Sequence, residues 1–418
     1  MLLLESGPDH TSDHTPSAVS GNSFFDALAE PGRSWPELLA TRTEHQGATV
    51  YQRGRGVGGS SSVNAMVTIP GIPEDYDRWE QLGATGWNWA SLSPWFARTS
   101  LVTSLAGAHE TGPVNAAFLA ALPGRAGPVP LSRTAAGRRM STNDCYLEPA
   151  RGRANLTIRG DSHVDRLLFE GRRAVGVRLV DGTEFESDEV FVCAGAIHSP
   201  ALLLRSGVEP ASPDGGASGG IGDGLKDHAA FPVALELADG VDWDPTALPI
   251  SVLARMSSGE SPADLQMLAM NHLGPAVPRV GLIMVALMEV RSRGTVRLAS
   301  NDALADPVVN FDLLSDPVDE RRLRSGIAQL ERVLEHPEVR RLGHAAVPPT
   351  DPVGLRASLG DYVHASGTCA MGRVVDEHCR VYGYGALRVC DASVFPDLPR
   401  ANTHLTTVVV AERLASVL

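Results

Sequence analysis

Several features that would mark particular classes of protein are absent from this sequence. Acidic residues outnumber basic ones, 49 against 36, which gives a formal net charge of −13. A surface of that sign repels nucleic-acid phosphates, so we expect no nucleic-acid partner. No run of 18 apolar residues occurs, so we expect no transmembrane helix. The first residues, MLLLESGPDH, also lack the basic start and long apolar run of a signal peptide.

Cysteine is scarce as well. The five cysteines form no CxxC pair and are odd in number: Cys145, Cys193, Cys369, Cys379 and Cys390. This argues against a disulfide framework and favours a reducing, cytoplasmic location. No Cys/His cluster has the spacing of a closed zinc site, so no metal site is predicted. We interpret Cys193 as a small core residue rather than a nucleophile.

The rest of the composition is that of a large soluble globular chain. Its 418 residues suggest two or three domains, or one large domain with an inserted region. The contents of 43% hydrophobic and 20% charged residues exclude general disorder. The 42 glycines and 29 prolines exclude a long coiled coil, because both residues break helices.

Local patterns predict an interleaved arrangement of helices and strands. Residues 1–5 predict the end of a buried strand, and the hairpin signal Asp181-Gly182 predicts a three-stranded meander over 163–193. A helix ending at Gly207 should follow the meander. Further expectations are a tryptophan-rich helical cap at 74–98, a flexible loop at 210–222, strands within 229–310, a charged helix at 317–341 and a last helix from Asn402.

Two stretches have the properties of a nucleotide site. Glu5 follows an apolar strand, where a carboxylate can accept the ribose hydroxyls of an adenine dinucleotide, although many buried strands end in Glu. The stretch GRGVGGSSSVN, residues 54–64, has glycines that permit close backbone approach, and its serines predict a helix start whose free N–H groups face an anion. The alternative is a plain glycine-rich turn before a helix. It is not a Walker motif, since no Gly-Lys-Ser/Thr follows.

Two more stretches could carry chemistry. In VFVCAGAIHSP, residues 190–200, a buried strand opens into small residues and a helix, so a ligand can approach the strand end. His364 in VHASGTCAMG and His404 in RANTHLTTVVV are each flanked by small residues that leave room for a ligand. A single histidine is more often a hydrogen-bonded structural residue, so this pair matters only if the fold brings the two together.

These stretches, in this order, resemble the glucose-methanol-choline (GMC) oxidoreductase family. The similarity rests on residues 53–77, 194–208 and 222–228 (GDGLKDH), and on 292–298, 364–372 and 387–407. It covers essentially the whole chain, and six motifs in the right order make it specific. The resemblance implies an FAD-dependent oxidation of an alcohol to a carbonyl compound. Since SSSVNAM contains no histidine, we expect the FAD to be bound noncovalently.

The resemblance also implies the site residues. His364 lies at the position usually treated as the catalytic base, and His404 at that of its partner, which is His or Asn across the family. A neutral imidazole suits removal of a hydroxyl proton near neutral pH, and the sequence does not apportion the two roles. The implied FAD contacts are Glu5, Gly59, Ser60, Asn64, Ala65, Met66, Val67, Val164, Asp391, Ala392, Leu405 and Thr406, together with His404.

One family feature is missing from the sequence. Family members have a strand, a GxGxxG turn and a helix about 30 residues before the strand that corresponds to Leu2–Leu4, as in dinucleotide folds generally. A chain without that βα unit should bind FAD poorly and expose strand edges. A GTG codon read as Met1 instead of an internal valine would explain the difference, so we expect in-frame coding upstream. The alternative to a functional enzyme is a degenerate, flavin-poor, noncatalytic homologue or a truncated gene model.

The expected fold is α/β, with a Rossmann-like FAD-binding domain that lacks its N-terminal βα unit and an interleaved α+β substrate-binding domain. We expect residues 1–70, 160–228 and 385–418 to form the FAD-binding domain. Residues 71–159 and 229–384 should form the cap and substrate-binding domain. The expected partner is a small-molecule alcohol. The electron acceptor, whether oxygen, a quinone or a protein, is not indicated.

Overall fold

The computed structural model describes residues 1–211 and 220–418, so most of the loop predicted at 210–222 lies outside the described residues. The described helices are α1 (Ser17–Ser20), α2 (Phe24–Ala29), α3 (Pro73–Gln81), α4 (Trp89–Phe96), α5 (Pro113–Ala121), α6 (Gly195–Arg205), α7 (Pro317–Leu334), α8 (Pro337–Arg340), α9 (Pro352–Ser358) and α10 (Thr403–Ala415). None of these helices is both long enough and apolar enough to cross a membrane.

The described strands alternate with these helices along the chain. They are β1 (Leu2–Leu4), β2 (Leu39–Thr41), β3 (Thr49–Val50), β4 (Ala126–Pro128), β5 (Thr157–Arg159), β6 (Val164–Glu170), β7 (Arg173–Leu179), β8 (Glu184–Glu186), β9 (Val190–Val192), β10 (Asp223–Leu225), β11 (Ala230–Leu237), β12 (Val252–Met256), β13 (Leu265–Met270), β14 (Val280–Leu287), β15 (Gly294–Arg297), β16 (Val308–Asn310), β17 (Gly343–Ala346) and β18 (Leu387–Val389). The mixed α/β architecture confirms the expected fold class.

The largest element is a six-stranded antiparallel sheet with the order β17-β11-β14-β13-β12-β4. Along β13, Leu265 and Met267 pack on the side of α5 and α7, whereas Leu268 and Met270 pack on the other side with Met66. This two-residue alternation buries both faces of the sheet, as expected for a strand between two layers. The second face forms an apolar wall toward the predicted cofactor segment.

Two short parallel pairs occupy the region predicted to hold the nucleotide. Strand β1 pairs with β5, and β9 pairs with β18, so each pair has free edges among the described residues. Leu2 is 39% exposed, Phe191 is 38% exposed and Cys193 is exposed. The strand predicted at residues 1–5 is therefore present. The predictions that this strand is buried and that Cys193 is a core residue were wrong. No described segment covers these edges.

The predicted meander is formed by β6, β7 and β8, and its hairpin lies at the predicted Asp181-Gly182. Its third strand is shorter than expected because a turn follows Glu186, in which the Ser187 hydroxyl donates to the Glu189 carbonyl at 2.7 Å. Strand β9 then leaves the meander and runs parallel to β18. The predicted charged helix is likewise divided into α7 and α8, with Pro337 beginning the second.

The helix predicted after the glycine-rich stretch is absent. Residues Gly59–Ser62 form one turn of 3₁₀ helix and the chain then extends. The Asn64 side chain accepts the Met66 N–H at 2.9 Å, and Met66 takes a positive φ of 61°. A bulky residue in this left-handed region is unusual and often marks a functional site.

The predicted tryptophan-rich cap is α3 and α4. Tyr76, Trp79 and Trp87 are fully buried in the core that contains Phe395 and Val409. The Trp79 indole N–H donates to the Asp397 carbonyl at 2.8 Å. These contacts tie the cap to the C-terminal segment that ends in α10, and so fix the position of the residues just before that helix.

Candidate active site

A buried pair of histidines lies between the six-stranded sheet and the start of α10. Nδ1 of His228 is 2.9 Å from Nδ1 of His364, and the two rings are nearly perpendicular. On the other side of the His364 ring, Nε2 lies 3.3 Å from Nδ2 of Asn402. His364 is 8% exposed, so its imidazole is almost wholly removed from solvent.

A carboxylate anchors both histidines through their backbones. Oδ1 of Asp227 accepts the backbone N–H groups of His228 at 2.7 Å and His364 at 3.0 Å. Oδ2 accepts the Tyr51 hydroxyl at 2.6 Å, and that hydroxyl accepts the backbone N–H of Ala365 at 3.0 Å. The segment around His364 is therefore held to the segment around Asp227 by hydrogen bonds that are shielded from water.

The same cluster has the composition of a metal site, which the sequence did not predict. Ligand-type atoms of Asp227, His228 and His364 all lie within 4.8 Å of one another. However, the Asp227 oxygens already accept backbone and hydroxyl hydrogens, and the two Nδ1 atoms face each other. The present contacts suit a proton-carrying network, and a cation would have to replace them.

Burial keeps the imidazoles of this region neutral. It lowers the pKa of His228 to about 3 and holds the pKa of His364 well below its usual value, with the proximity of the His228 ring and of Arg53 as the further causes. Burial also raises the pKa of Asp227 to about 7, with the nearby Asp361 charge as the next cause. A neutral imidazole is the form that can accept a proton.

His404 is the second residue of α10, two residues beyond Asn402, and is half-buried. Its Nε2 is buried without a hydrogen-bond partner, and burial, with the charge of Arg139, lowers its pKa to about 4. Among the described residues His404 and His364 share no hydrogen bond; Asn402 is the residue that reaches His364. The sequence thus predicted two histidines of this region, whereas the structure also places Asn402 there.

Glu5, the predicted ribose-binding carboxylate, lies against the glycine-rich stretch. Oε1 of Glu5 accepts the backbone N–H groups of Gly7 and Gly56, each at 2.9 Å. Oε2 has no hydrogen bond within the described part of the chain, so one carboxylate oxygen remains for a ribose hydroxyl. The contact with Gly56 also joins the end of β1 to the glycine-rich stretch.

Two glycines provide open backbone at the predicted cofactor positions. Gly59 and Gly195 have φ values of +53° and +82°, and a Cβ on either would meet no atom within 4 Å. Gly195 begins α6, and its N–H donates to Oδ2 of Asp391 at 2.9 Å. The Asp391 carboxylate also accepts the Ser393 N–H at 2.7 Å, so it fixes the helix start beside this open space.

A buried arginine supports the other predicted contacts. Nη1 of Arg139 donates to the backbone oxygen of Asn64 at 2.6 Å and to its side-chain oxygen at 3.1 Å, while Nη2 is buried without a partner. Burial lowers the pKa of Arg139 to about 10. The guanidinium thus holds Asn64, and through it the strained Met66, in place.

The remaining predicted contacts differ in how they could face a cofactor. The Thr406 hydroxyl is 2.9 Å from that of Tyr76, and Leu405 packs in the same core, so these two side chains face protein. The Ser60 hydroxyl accepts the Gly54 N–H at 3.0 Å. Of the others, Val67 is buried, and three are half-buried: Ala65, Val164 and Ala392.

Sequence reasoning did not assign a role to Asn402, Arg139 or His228. His228 closes the motif GDGLKDH, which was noted only for its resemblance to the family. The signal available in the sequence was that this histidine directly follows an aspartate, Asp227. Arg139 and Asn402 carry no local signal, because their importance depends on contacts with residues far away in the chain.

Comparisons with known proteins give a consistent assignment. The family model described as GMC oxidoreductase matches residues 37–126 and 124–230 with its N-terminal part and 290–411 with its C-terminal part. The chain is 31% identical to a 5-(hydroxymethyl)furfural oxidase of Methylovorus sp. (strain MP688), with 99% of this chain and 93% of that protein covered. It is also 31% identical to an oxygen-dependent choline dehydrogenase of Paraburkholderia xenovorans (strain LB400), with 99% and 89% covered.

The fold agrees with this relationship. The crystal structure of pyridoxine 4-oxidase from Mesorbium loti superposes with a TM-score of 0.85 at 24% identity, covering 99% of this chain and 93% of that one. The sequence matches span more than half of the chain, and the relatives are covered almost completely. This chain is therefore an FAD-dependent oxidoreductase that belongs to the GMC oxidoreductase family.

Proposed function

We propose that this protein oxidises a small alcohol to an aldehyde or ketone, with His364 as the base that removes the hydroxyl proton. The observation that carries the proposal is the position of the His364 ring. It is buried and neutral, and its Nε2 faces Asn402 at the edge of an apolar wall. A neutral imidazole has a free lone pair that can take the hydroxyl proton when substrate enters.

The residues present fit FAD. Glu5 retains a free carboxylate oxygen for the ribose, Gly59 and Gly195 leave open backbone, and Asp391 orients the start of α6. Arg139, whose charge acts on His404, holds Asn64 and through it the strained Met66. When bound, FAD supplies the two-electron oxidant that accepts the hydride from the alcohol carbon.

The protein side of the reaction is performed by a few groups. His364 takes the hydroxyl proton at Nε2, and the Asn402 amide or the unpaired Nε2 of His404 holds the substrate oxygen. The wall containing Leu268, Met284 and Tyr362 excludes water and accepts the apolar part of the alcohol. Exclusion of water strengthens the polar contacts at the reacting atoms.

The comparisons support a small-molecule alcohol substrate. The names of the two relatives refer to hydroxymethylfurfural and choline, both of which are alcohols. We propose the division into an FAD-binding part, residues 1–70, 160–228 and 385–418, and a cap and substrate part, residues 71–159 and 229–384. The electron acceptor is left to the experiment, since no described contact selects oxygen, a quinone or a protein. We place the enzyme in the cytoplasm on the basis of its cysteine content.

A second candidate is a flavin-poor, noncatalytic homologue. The free edges of β1 and β9 and the exposure of Leu2, Phe191 and Cys193 favour it. Unpaired edges destabilise a nucleotide-binding sheet and promote association between chains. The arrangement of His364 with Asn402 favours the enzyme over this alternative.

One experiment separates the two functions. The purified protein is loaded with FAD, and its visible flavin absorbance is followed anaerobically as a panel of primary and secondary alcohols is added. Bleaching with at least one alcohol, together with formation of the carbonyl compound, supports the enzyme. Stoichiometric FAD with no bleaching by any alcohol contradicts alcohol oxidation, and absence of FAD binding supports the flavin-poor homologue. Repeating the active cases with oxygen, a quinone or an artificial dye identifies the acceptor.

A further inference from the structure

The contact between His228 and His364 requires a particular distribution of protons. Both imidazoles are neutral, so each carries one hydrogen on one of its two nitrogens. The Nδ1 atoms are 2.9 Å apart, so one of them donates a hydrogen to the other. The direction of this hydrogen bond decides which nitrogen of His364 is free to act as a base.

The surroundings of His228 indicate the direction. The backbone carbonyls of Met288 and Pro399 act on its ring as hydrogen-bond acceptors and oppose the effect of burial on its pKa. Because Nδ1 of His228 faces His364, we infer that these carbonyls favour a hydrogen on Nε2, which is buried and makes no full hydrogen bond with either of them. With its hydrogen on Nε2, His228 presents the lone pair of Nδ1 to His364.

The other side of His364 agrees with this direction. Nδ2 of Asn402, a donor, lies 3.3 Å from Nε2 of His364, which must then be an acceptor. His364 consequently carries its hydrogen on Nδ1 and donates it to His228. Two separate contacts thus lead to one arrangement, in which the lone pair of Nε2 points toward the proposed substrate position.

The carboxylate of this cluster is not free to take this role. A carboxylate often accepts the second ring N–H of a functional histidine, and Asp227 is the carboxylate at hand. Its oxygens are already occupied by the backbone N–H groups of His228 and His364 and by the Tyr51 hydroxyl. The acceptor for Nδ1–H of His364 is therefore an imidazole.

We propose that His228 is a positioning residue for alcohol oxidation: it accepts the Nδ1 hydrogen of His364 and so keeps the basic lone pair on Nε2. When the hydroxyl proton reaches Nε2, His364 becomes an imidazolium whose Nδ1–H still bonds to His228. The hydrogen bond is stronger to the charged form, so His228 also stabilises the product of proton transfer. This inference rests on the proposed role of His364.

Two amide substitutions at His228 test the proposal because they resemble opposite sides of the imidazole. His228→Asn can place its amide oxygen near the former Nδ1 and keep an acceptor for His364. His228→Gln extends toward the Met288 and Pro399 carbonyls and leaves the Nδ1 position without an acceptor. Both variants are polar and similar in size, so general effects of burying an amide are matched between them.

The experiment measures anaerobic flavin reduction by a saturating alcohol in FAD-loaded protein. We expect His228→Gln to lower the rate roughly 10- to 100-fold, the usual effect of losing such a partner, and His228→Asn to recover most of it. Flavin content and thermal stability are recorded for each variant. Equal rates in the two variants, or a faster Gln variant, would overturn the proposal, since the hydrogen would then lie on the other nitrogen.

A double-mutant cycle with His364→Ala distinguishes positioning from general structural support. If His228 acts through His364, His228→Gln should have almost no further effect on the rate once His364 is absent. Additive losses would show that His228 supports the fold independently, and would overturn the proposal. A parent protein that no alcohol reduces would instead refute the proposed function, which makes the two failures distinguishable.

Discussion

Removal of one buried hydroxyl should loosen the segment that carries His364. In Tyr51→Phe the aromatic ring remains in place and its packing is preserved, but three hydrogen bonds are lost. The hydroxyl donates to Asp227 at 2.6 Å, and it accepts from Ala365 at 3.0 Å and from Arg53 at 2.9 Å. Tyr51 and Asp227 are both 0% exposed, so water cannot easily replace the lost partner.

The size of the stability loss in Tyr51→Phe follows from the groups left unpaired. One hydrogen bond to a charged group and one stranded backbone N–H together cost about 2.5–6 kcal/mol. With about 2.1 cal/mol/K of unfolding entropy per residue over 418 residues, this corresponds to a decrease in Tm of about 3–7 °C. Differential scanning calorimetry of the FAD-loaded parent and variant measures it.

The stability loss in Tyr51→Phe should depend on pH in a defined direction. The pKa of Asp227 is raised to about 7 by burial and the Asp361 charge, while the Tyr51 hydroxyl counteracts that rise. Removing the hydroxyl should raise the pKa further, which penalises the ionised form in the folded state. The unfolded chains of parent and variant titrate alike, and well below pH 7 the carboxyl is protonated in both folded proteins, so this part of the difference vanishes there. The stability difference between parent and variant should therefore be larger at pH 8 than at pH 5.

Tyr362→Phe is the matched control. Its hydroxyl is also buried, but it accepts a hydrogen bond from the neutral amide of Gln266 at 2.7 Å. Its loss should cost about 1 kcal/mol without this pH dependence, because no carboxylate is involved. Equal losses in the two variants, or a Tyr51→Phe effect that is the same at pH 5 and pH 8, would refute the assignment of Asp227 as the anchor.

Three further outcomes are expected. Gly59→Ala should weaken FAD binding, measured by fluorescence titration, at least about tenfold, because the added methyl group enters the cofactor space. The control Gly171→Ala has a similar φ of +59° and equally open surroundings, so it should show only the backbone strain of about 1–2 kcal/mol. The folded pKa of His404, about 4, lies below its unfolded value, so its contribution to stability is complete above about pH 6.5 and is lost as the pH falls toward 4. In that range His404→Asn should reduce the slope of the free energy of unfolding against pH, measured with urea, by up to about 1.4 kcal/mol per pH unit. Equal slopes in parent and variant would contradict burial of His404 as a neutral ring. The 418-residue chain should bind less than one FAD per chain and associate through β1 and β9, which flavin absorbance and light scattering would show; a monodisperse, fully loaded protein would contradict this.

Family, cofactor and fold class could be predicted because they depend on short motifs in a fixed order. The histidines could be named for the same reason, since His364 and His404 lie within such motifs. The hydrogen bond between His364 and His228 could not be foreseen, because 136 residues separate them and only the folded chain brings them together. Asn402 shows the same limit on a smaller scale: it lies two residues before His404, yet its role depends on where α10 begins.

The errors in local structure also have physical causes. A helix was expected after Gly59 because serines often cap helices, but the Asn64 side chain bonds to the backbone of Met66 and turns the chain instead. The strand at Val190–Val192 was joined to the meander because its apolar run continued the pattern. Its partner, Leu387–Val389, lies almost 200 residues away, and periodicity does not reveal partners at that distance.

The most direct test of the account is the anaerobic rate of flavin reduction by a saturating alcohol in His364→Ala and His404→Asn, each loaded with FAD. Loss of a general base lowers a rate about 100- to 10,000-fold, so His364→Ala should fall within that range while retaining FAD. His404→Asn should be milder, since an amide can still hold the substrate oxygen. Reduction of both variants at the parent rate would contradict catalysis by these histidines, and a larger loss in His404→Asn would assign the base to His404.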